Sequence, residues 1–205
     1  MVLITDLQYF ATIIEYKNSI KYKYIRYEQY ENWQKSSFRN RCIISGANGL
    51  VTLSVPVVGG RHSSHSLREI KIDNSKRWQM IHWRTLFSAY NRSPWFEYYK
   101  DELLKFYNTK YDSLLKWNLD LLEWTNRKLE LNPEIGFTDT WKKNYPPDEF
   151  EDWRSRVRPQ NYSSFGPYCP VYNQVFEERF GFNANLSIID LLFCEGPNAI
   201  HLLKN

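Results

Sequence analysis

The chain has 205 residues, 42% hydrophobic and 17% aromatic, which is enough apolar material for one domain with a sizeable core and excludes disorder over most of its length. Its 27 basic and 23 acidic side chains leave a net charge of +4, too small an excess for a dedicated nucleic-acid binder. Three widely spaced cysteines, Cys42, Cys169 and Cys194, read as reduced thiols rather than a disulfide frame. The start, MVLITDLQYF, has no basic stretch, so no secretory signal is expected. No apolar run approaches the roughly 18 residues that span a bilayer, and the expectation is a soluble, cytoplasmic protein.

In chain order, residues 2–4 and 22–27 are β-branched or aromatic runs, with a helical stretch expected over 10–16. Residues 41–44 and 50–55 flank Gly46-Ala47-Asn48-Gly49. Asn-Gly tolerates positive φ at both turn positions, so this is the strongest hairpin signal in the chain. Pro56, without an N–H, should close that strand. GGRHSSHS (59–66) reads as a loop, and the alternation over 67–73 reads as a further short strand. From Lys76 the period turns helical, with Asn74 or Ser75 as cap. Ser93-Pro94 should cap and open a second helix through Tyr107, and Tyr111 to Leu129 keeps helical spacing to about residue 130. Between 132 and 167 the period collapses among prolines, an acidic DEFED and a basic RSRVR, and this segment is expected to drape over the open end of the sheet. Ser187 to Asp190 resembles a capping box before 188–193, and Gly196-Pro197 ends that helix and opens a last short one. The fold class is α/β, with α+β as the neighbouring possibility: a single domain whose N-terminal mixed sheet, hairpin included, is covered by C-terminal helices.

Phosphate-loop, dinucleotide, zinc-protease, paired-cysteine and serine-hydrolase signatures are all absent. His62 and His65 lie in a Gly/Ser loop without acidic or cysteine partners, so no metal site is expected. His82, beside Trp83 and Arg84 in the helix WQMIHWRTLFSAY, is the one histidine to weigh as a base, against a plain core-edge role. The stripe Trp95, Phe96, Tyr98, Tyr99, Phe106, Tyr107 reads as core before it reads as a sugar platform.

Three blocks carry a resemblance: YEQYENWQKSSFRNRCIISGANGLVTLSVPV, HWRTLFSAYNRSPWFEYY and VYNQVFEERFGFNANLSIIDLLFCEGP. In sequence and order they resemble the WbqC-like protein family across nearly the whole chain, failing mainly over 132–167. That family is functionally uncharacterised. Its members occur in O-antigen gene clusters, and a glycine transferase role has been suggested for some. The resemblance thus implies polysaccharide biosynthesis as a context. Many members carry His-Gln-Pro after the first strand; this chain has Thr5-Asp6-Leu7-Gln8-Tyr9-Phe10 and resembles a histidine-free branch.

Transfer of an activated glycyl or acyl group needs recognition of an anionic donor, which can be a sugar nucleotide, an acyl carrier or a charged tRNA. It also needs a base and an oxyanion donor. The stretch RNR (39–41) is read as extended. Arg39 and Arg41 then share one side, guanidiniums about 6 to 7 Å apart and able to hold a diphosphate, with Asn40 on the other. Candidate catalytic residues are therefore His82 and Glu28. Candidate ligand-binding residues are Tyr30, Lys35, Arg39, Asn40, Arg41 and Arg84, and whether a cofactor takes part is left open. The competing reading makes Glu28, Glu31, Lys35, Arg39 and Arg41 structural ion pairs. The two function classes are a glycine- or acyl-type transferase and a non-enzymatic binder of sugar nucleotide or glycan. A pocket collecting Arg39, Arg41, Glu28 and His82 would favour the first.

Overall fold

The structure, a computed structural model, describes residues 1–59 and 65–205. The apolar run at the start forms β1 (Val2–Asp6), and α1 (Ile13–Ser19) carries the chain into β2 (Tyr24–Glu28), which pairs with β1 in parallel and sets Asp6 opposite Glu28. The first turn of α1 has orphan N–H groups, as every helix start does. They are met from far along the chain: Ile13 donates to the Leu186 carbonyl and Ile14 to the Asn185 side chain.

β3 (Arg41–Gly46) and β4 (Gly49–Ser54) form an antiparallel hairpin that stands as its own two-stranded sheet. Its turn residues are Ala47 and Asn48, one position earlier than an Asn-Gly turn requires. Only Gly49 takes positive φ, at 103°, and Asn48 stays on the ordinary side. The strand expected over 67–73 is a 3₁₀ turn (Leu67–Glu69) followed by isolated bridges at Lys71 and Ile72.

α2 (Trp78–Tyr90), α3 (Phe96–Asn108) and α4 (Leu114–Lys128) follow. The starts of α2 and α3 differ from the capping signals. Arg77 occupies the cap of α2 without a side-chain bond, while the Asn74 side chain binds the Tyr111 carbonyl and the Trp78 indole. Ser93 closes α2 by donating to the Tyr90 carbonyl, and α3 begins only at Phe96. The three helices meet on fully buried Trp117, whose ring lies 5.0 to 5.3 Å from those of Trp78, Tyr107 and Tyr111 in edge contacts. Along the stripe in α3, Phe96, Tyr99 and Tyr107 are core, whereas Tyr98 faces solvent.

The segment 132–167 is the largest departure from expectation. It contains β5 (Glu134–Phe137), which pairs with β2, and β6 (Phe150–Asp152), which pairs with β1. The principal sheet is therefore parallel throughout, in the order β5-β2-β1-β6, and half of its strands come from the middle of the chain. The segment also contributes a cover, since Arg154 reaches the carbonyls of Lys142 and Lys143.

α5 (Glu177–Phe180), α6 (Ile188–Glu195), a 3₁₀ turn at Gly196–Asn198 and α7 (Ala199–Lys204) complete the domain. Ser187 does precede α6, but its hydroxyl donates to the Phe10 carbonyl. Asp190 turns inward, so no capping box closes. Gly196 has φ 56° with the Trp95 indole where a Cβ would stand, so no side chain fits there. The class is α/β, with parallel and antiparallel pairing both present. The three cysteines are free and buried, and among the described residues no helix is long and apolar enough to cross a membrane.

Candidate functional site

In an open parallel sheet, ligands bind outside the carboxyl ends of the strands, at the point where the chain's winding reverses. Here β1 leads towards β2 and β5 on one side while β6 lies on the other, so that point falls between the ends of β1 and β6. Both ends carry carboxylates. The register puts Asp6 opposite Glu28 and Ile4 opposite Asp152, and strand alternation then sets Asp6, Glu28 and Asp152 on one sheet face.

Two arginines pair with the carboxylates of that face. Arg39, 1% exposed, bonds Asp6 at 2.7 Å and also Glu31. Arg154 bonds Asp152 at 2.7 Å and Glu28 at 3.3 Å, with its guanidinium 4.9 Å from the Tyr145 ring. Backbone and hydroxyl donors fill the remaining lone pairs. Ser155 N–H donates to Asp6, Tyr30 N–H to Glu28, and the Thr138 hydroxyl to Glu28. Buried charges persist only when paired and hydrogen-bonded in this way.

The opposite face, against α1, is different. Thr5 and Tyr27 point there, and a cavity of about 330 Å³ is lined by β1, α1, β2 and α4, including Gln8, Glu15, Tyr16, Leu121 and Thr125. Glu15 is buried, accepts from Gln8 at 2.8 Å and from the Thr5 hydroxyl at 3.4 Å, and has no cation partner among the described residues. Burial, reinforced by the charge of Asp6, pushes its carboxyl well above the usual carboxylate range; the Gln8 and Thr5 bonds pull the other way and do not cancel it.

The residues anticipated from sequence are dispersed relative to this geometry. Arg39 and Arg41 do not share a strand face: β3 begins at Arg41, and Arg39 lies in the turn before it, drawn inward by Asp6 and Glu31. Asn40 donates to the Val55 carbonyl. Glu28 is held by three donors. Tyr30 accepts from Arg68 through its hydroxyl, and Lys35 is exposed. Arg84 stands on the outer side of α2, lining a shallow groove with the hairpin turn.

His82 is buried, stacked on Tyr9 and bonded through Nδ1 to the Tyr9 hydroxyl at 3.1 Å; that hydroxyl meets Tyr107 at 2.7 Å. Burial pulls its pKa down to about 4, so it is neutral near pH 7. It shares no side-chain partner with the arginine–carboxylate network. His62 lies outside the described residues, and among those described no group of side chains has the make-up of a metal site.

Sequence reasoning passed over Asp6, Glu15, Asp152 and Arg154. The available signal was Glu15 itself, flanked by Ile13, Ile14 and Tyr16, so that a helix packed on a sheet has to bury it. No curated protein and no solved structure matches the chain. The model of the WbqC-like protein family matches residues 7–150, which takes in α1 and β2 through β5, and leaves β1 with Asp6 and the third block of resemblance outside the match. The chain belongs to the WbqC-like protein family.

Proposed function

We propose that the protein is a glycine- or acyl-type transferase of O-antigen or other cell-surface polysaccharide assembly, working in the cytoplasm, with Glu15 as its general base. The observation that carries this reading is a buried carboxyl without a countercharge on the wall of a cavity at the carboxyl end of β1. Perturbed carboxyls in clefts are where acid–base chemistry concentrates. A cavity of about 330 Å³ lies near the lower end of the roughly 300–1,000 Å³ of small-molecule sites, which suits one sugar residue bearing an amine or hydroxyl. In the reaction, Glu15 as carboxylate takes the acceptor's proton, the acceptor's heteroatom bonds to the acyl carbon, and the carrier departs as thiol or alcohol with that proton. Gln8 and Thr5 hold the carboxylate during the exchange.

The test is transfer from glycyl-tRNA, an acyl thioester or an activated acyl nucleotide to an amino sugar, read by product mass. Glu15→Gln keeps the hydrogen-bonded shape and should lower the rate at least a hundredfold, the scale of general-base catalysis. Equal rates in parent and variant would remove Glu15 from the chemistry. Saturable sugar binding with no transfer from any donor would instead favour the non-enzymatic binder.

A further inference from the structure

The other side of α1 carries a second recess. Ile14, Lys17 and Asn18 follow i, i+3 and i+4 spacing and form one face of α1, and Lys21, just beyond the helix end, lines this recess as well as the Glu15 cavity. Opposite them stand Trp153, Phe165, Pro167, Tyr168 and Cys169, and the recess encloses about 540 Å³.

Three features set it apart. Its lining contains no Asp or Glu, whereas the cavity across α1 holds Asp6 and Glu15. Half-buried Lys17 and exposed Lys21 have no ion-pair partner among the described residues, whereas buried or half-buried Arg39, Lys128 and Arg154 each have one. Asn18 is 7% exposed and its Nδ2 has no hydrogen-bond partner, a donor without an acceptor. The aromatic wall offers rings at hand: Trp153 and Phe165 lie 6.4 Å apart, Tyr168 is 66% exposed, and Arg156 lies over Trp153 at 5.8 Å.

We propose that this recess binds a nucleoside diphosphate, its base stacked on the Tyr168 and Phe165 side and its phosphates at Lys17 and Lys21. Base–aromatic stacking tolerates any base, and ammonium groups serve phosphates as point charges. A neutral glycan would leave two ammonium groups unmatched. The proposal rests on the transferase reading only for what the nucleotide carries; binding itself does not require it.

Titration calorimetry on the full chain, with UDP, ADP, inorganic pyrophosphate and a neutral trisaccharide as probes, tests it. Both nucleotides should bind, pyrophosphate at least tenfold more weakly, and the trisaccharide not measurably. Lys17→Gln with Lys21→Gln should weaken UDP at least tenfold, and Tyr168→Ala by about five- to a hundredfold. These side chains are exposed or half-buried, so the variants should melt with the parent, and Glu15→Gln should bind UDP unchanged. Pyrophosphate or trisaccharide binding as tightly as UDP, absence of nucleotide binding, or unaltered affinity in the Lys and Tyr variants would overturn the proposal. Loss of UDP binding in Glu15→Gln would also overturn it, by placing the nucleotide across α1. Failure of transfer with UDP binding intact would count against the catalytic reading alone.

Discussion

Two regions of this molecule bury ionisable groups by opposite means. On the sheet face away from α1, Asp6, Glu28 and Asp152 are each paired with a guanidinium, Arg39 for the first and Arg154 for the other two. On the helical side, Glu15, Asp190 and His82 meet only neutral partners. Asp190 is fully buried, yet takes its bonds from the hydroxyls of Tyr90 and Tyr172 and from Gln174. Burial pushes its carboxyl above the usual range, as it does for Glu15. The difference teaches which groups can react. A carboxylate locked between guanidinium and backbone donors has no lone pair to spare, while one held by an amide and a hydroxyl can exchange a proton at little cost.

The largest effect should come from breaking the compensated face. Arg39→Ala leaves Asp6 and Glu31 without their cation and should cost about 3–5 kcal/mol, measured by denaturant unfolding. A loss below about 1 kcal/mol would mean that the charges there are not coupled. Arg39→Lys keeps the charge but not the fork, so it should fall between parent and Ala.

His82 sharpens the other half. Its folded pKa, about 4, lies below the ordinary 6.5, so the unfolded chain takes up the proton first and stability falls as pH drops from 6.5 towards 4. At about 1.4 kcal/mol per unit, the loss is roughly 3 kcal/mol. His82→Gln should flatten that limb of the stability–pH curve; an unchanged slope would show that the proton goes elsewhere.

A control outside both regions is the hairpin. Gly49→Val forces a β-branched residue to φ 103° and should cost about 1–2 kcal/mol, whereas Asn48→Val should stay within about 0.5 kcal/mol. Equal melting of the two variants would put the turn elsewhere.

At Glu15 the effect should depend on pH. Its raised folded pKa means that stability is present below the unfolded value and is lost as pH rises through the folded one. Glu15→Gln should match the parent at pH 4.5 and exceed it at pH 8. A variant less stable than the parent at both values would assign Glu15 a countercharge that the geometry lacks.

Much of the fold was legible from local pattern. The runs at 2–4 and 22–27, the hairpin and the helical periods at 78–128 each carry their signal within a few residues. β5 and β6 do not. EIGF and FED are short, bracketed by prolines or acids, and become strands only because β2 and β1 offer free edges. The extended reading of RNR failed for a related reason. Alternation along RNR assumes an extended backbone, but the pull of Asp6 and Glu31 on Arg39 is a tertiary fact with no local trace. Glu28 was singled out as a base, yet its carboxylate accepts from three donors, at residues 30, 138 and 154, that no local pattern announces.

The order β5-β2-β1-β6 also sets a timetable for folding. β1 and β2 leave the ribosome first, yet each keeps an open edge until residues 134–137 and 150–152 arrive more than a hundred residues later. At about 5–20 residues per second, a nascent chain therefore carries a two-stranded pair with both outer edges bare for roughly 5–25 s. Loop closure over such distances is slow, and bare strand edges invite pairing with other chains. Production of this protein should consequently depend on chaperone supply and temperature more than its finished, well-packed core would suggest.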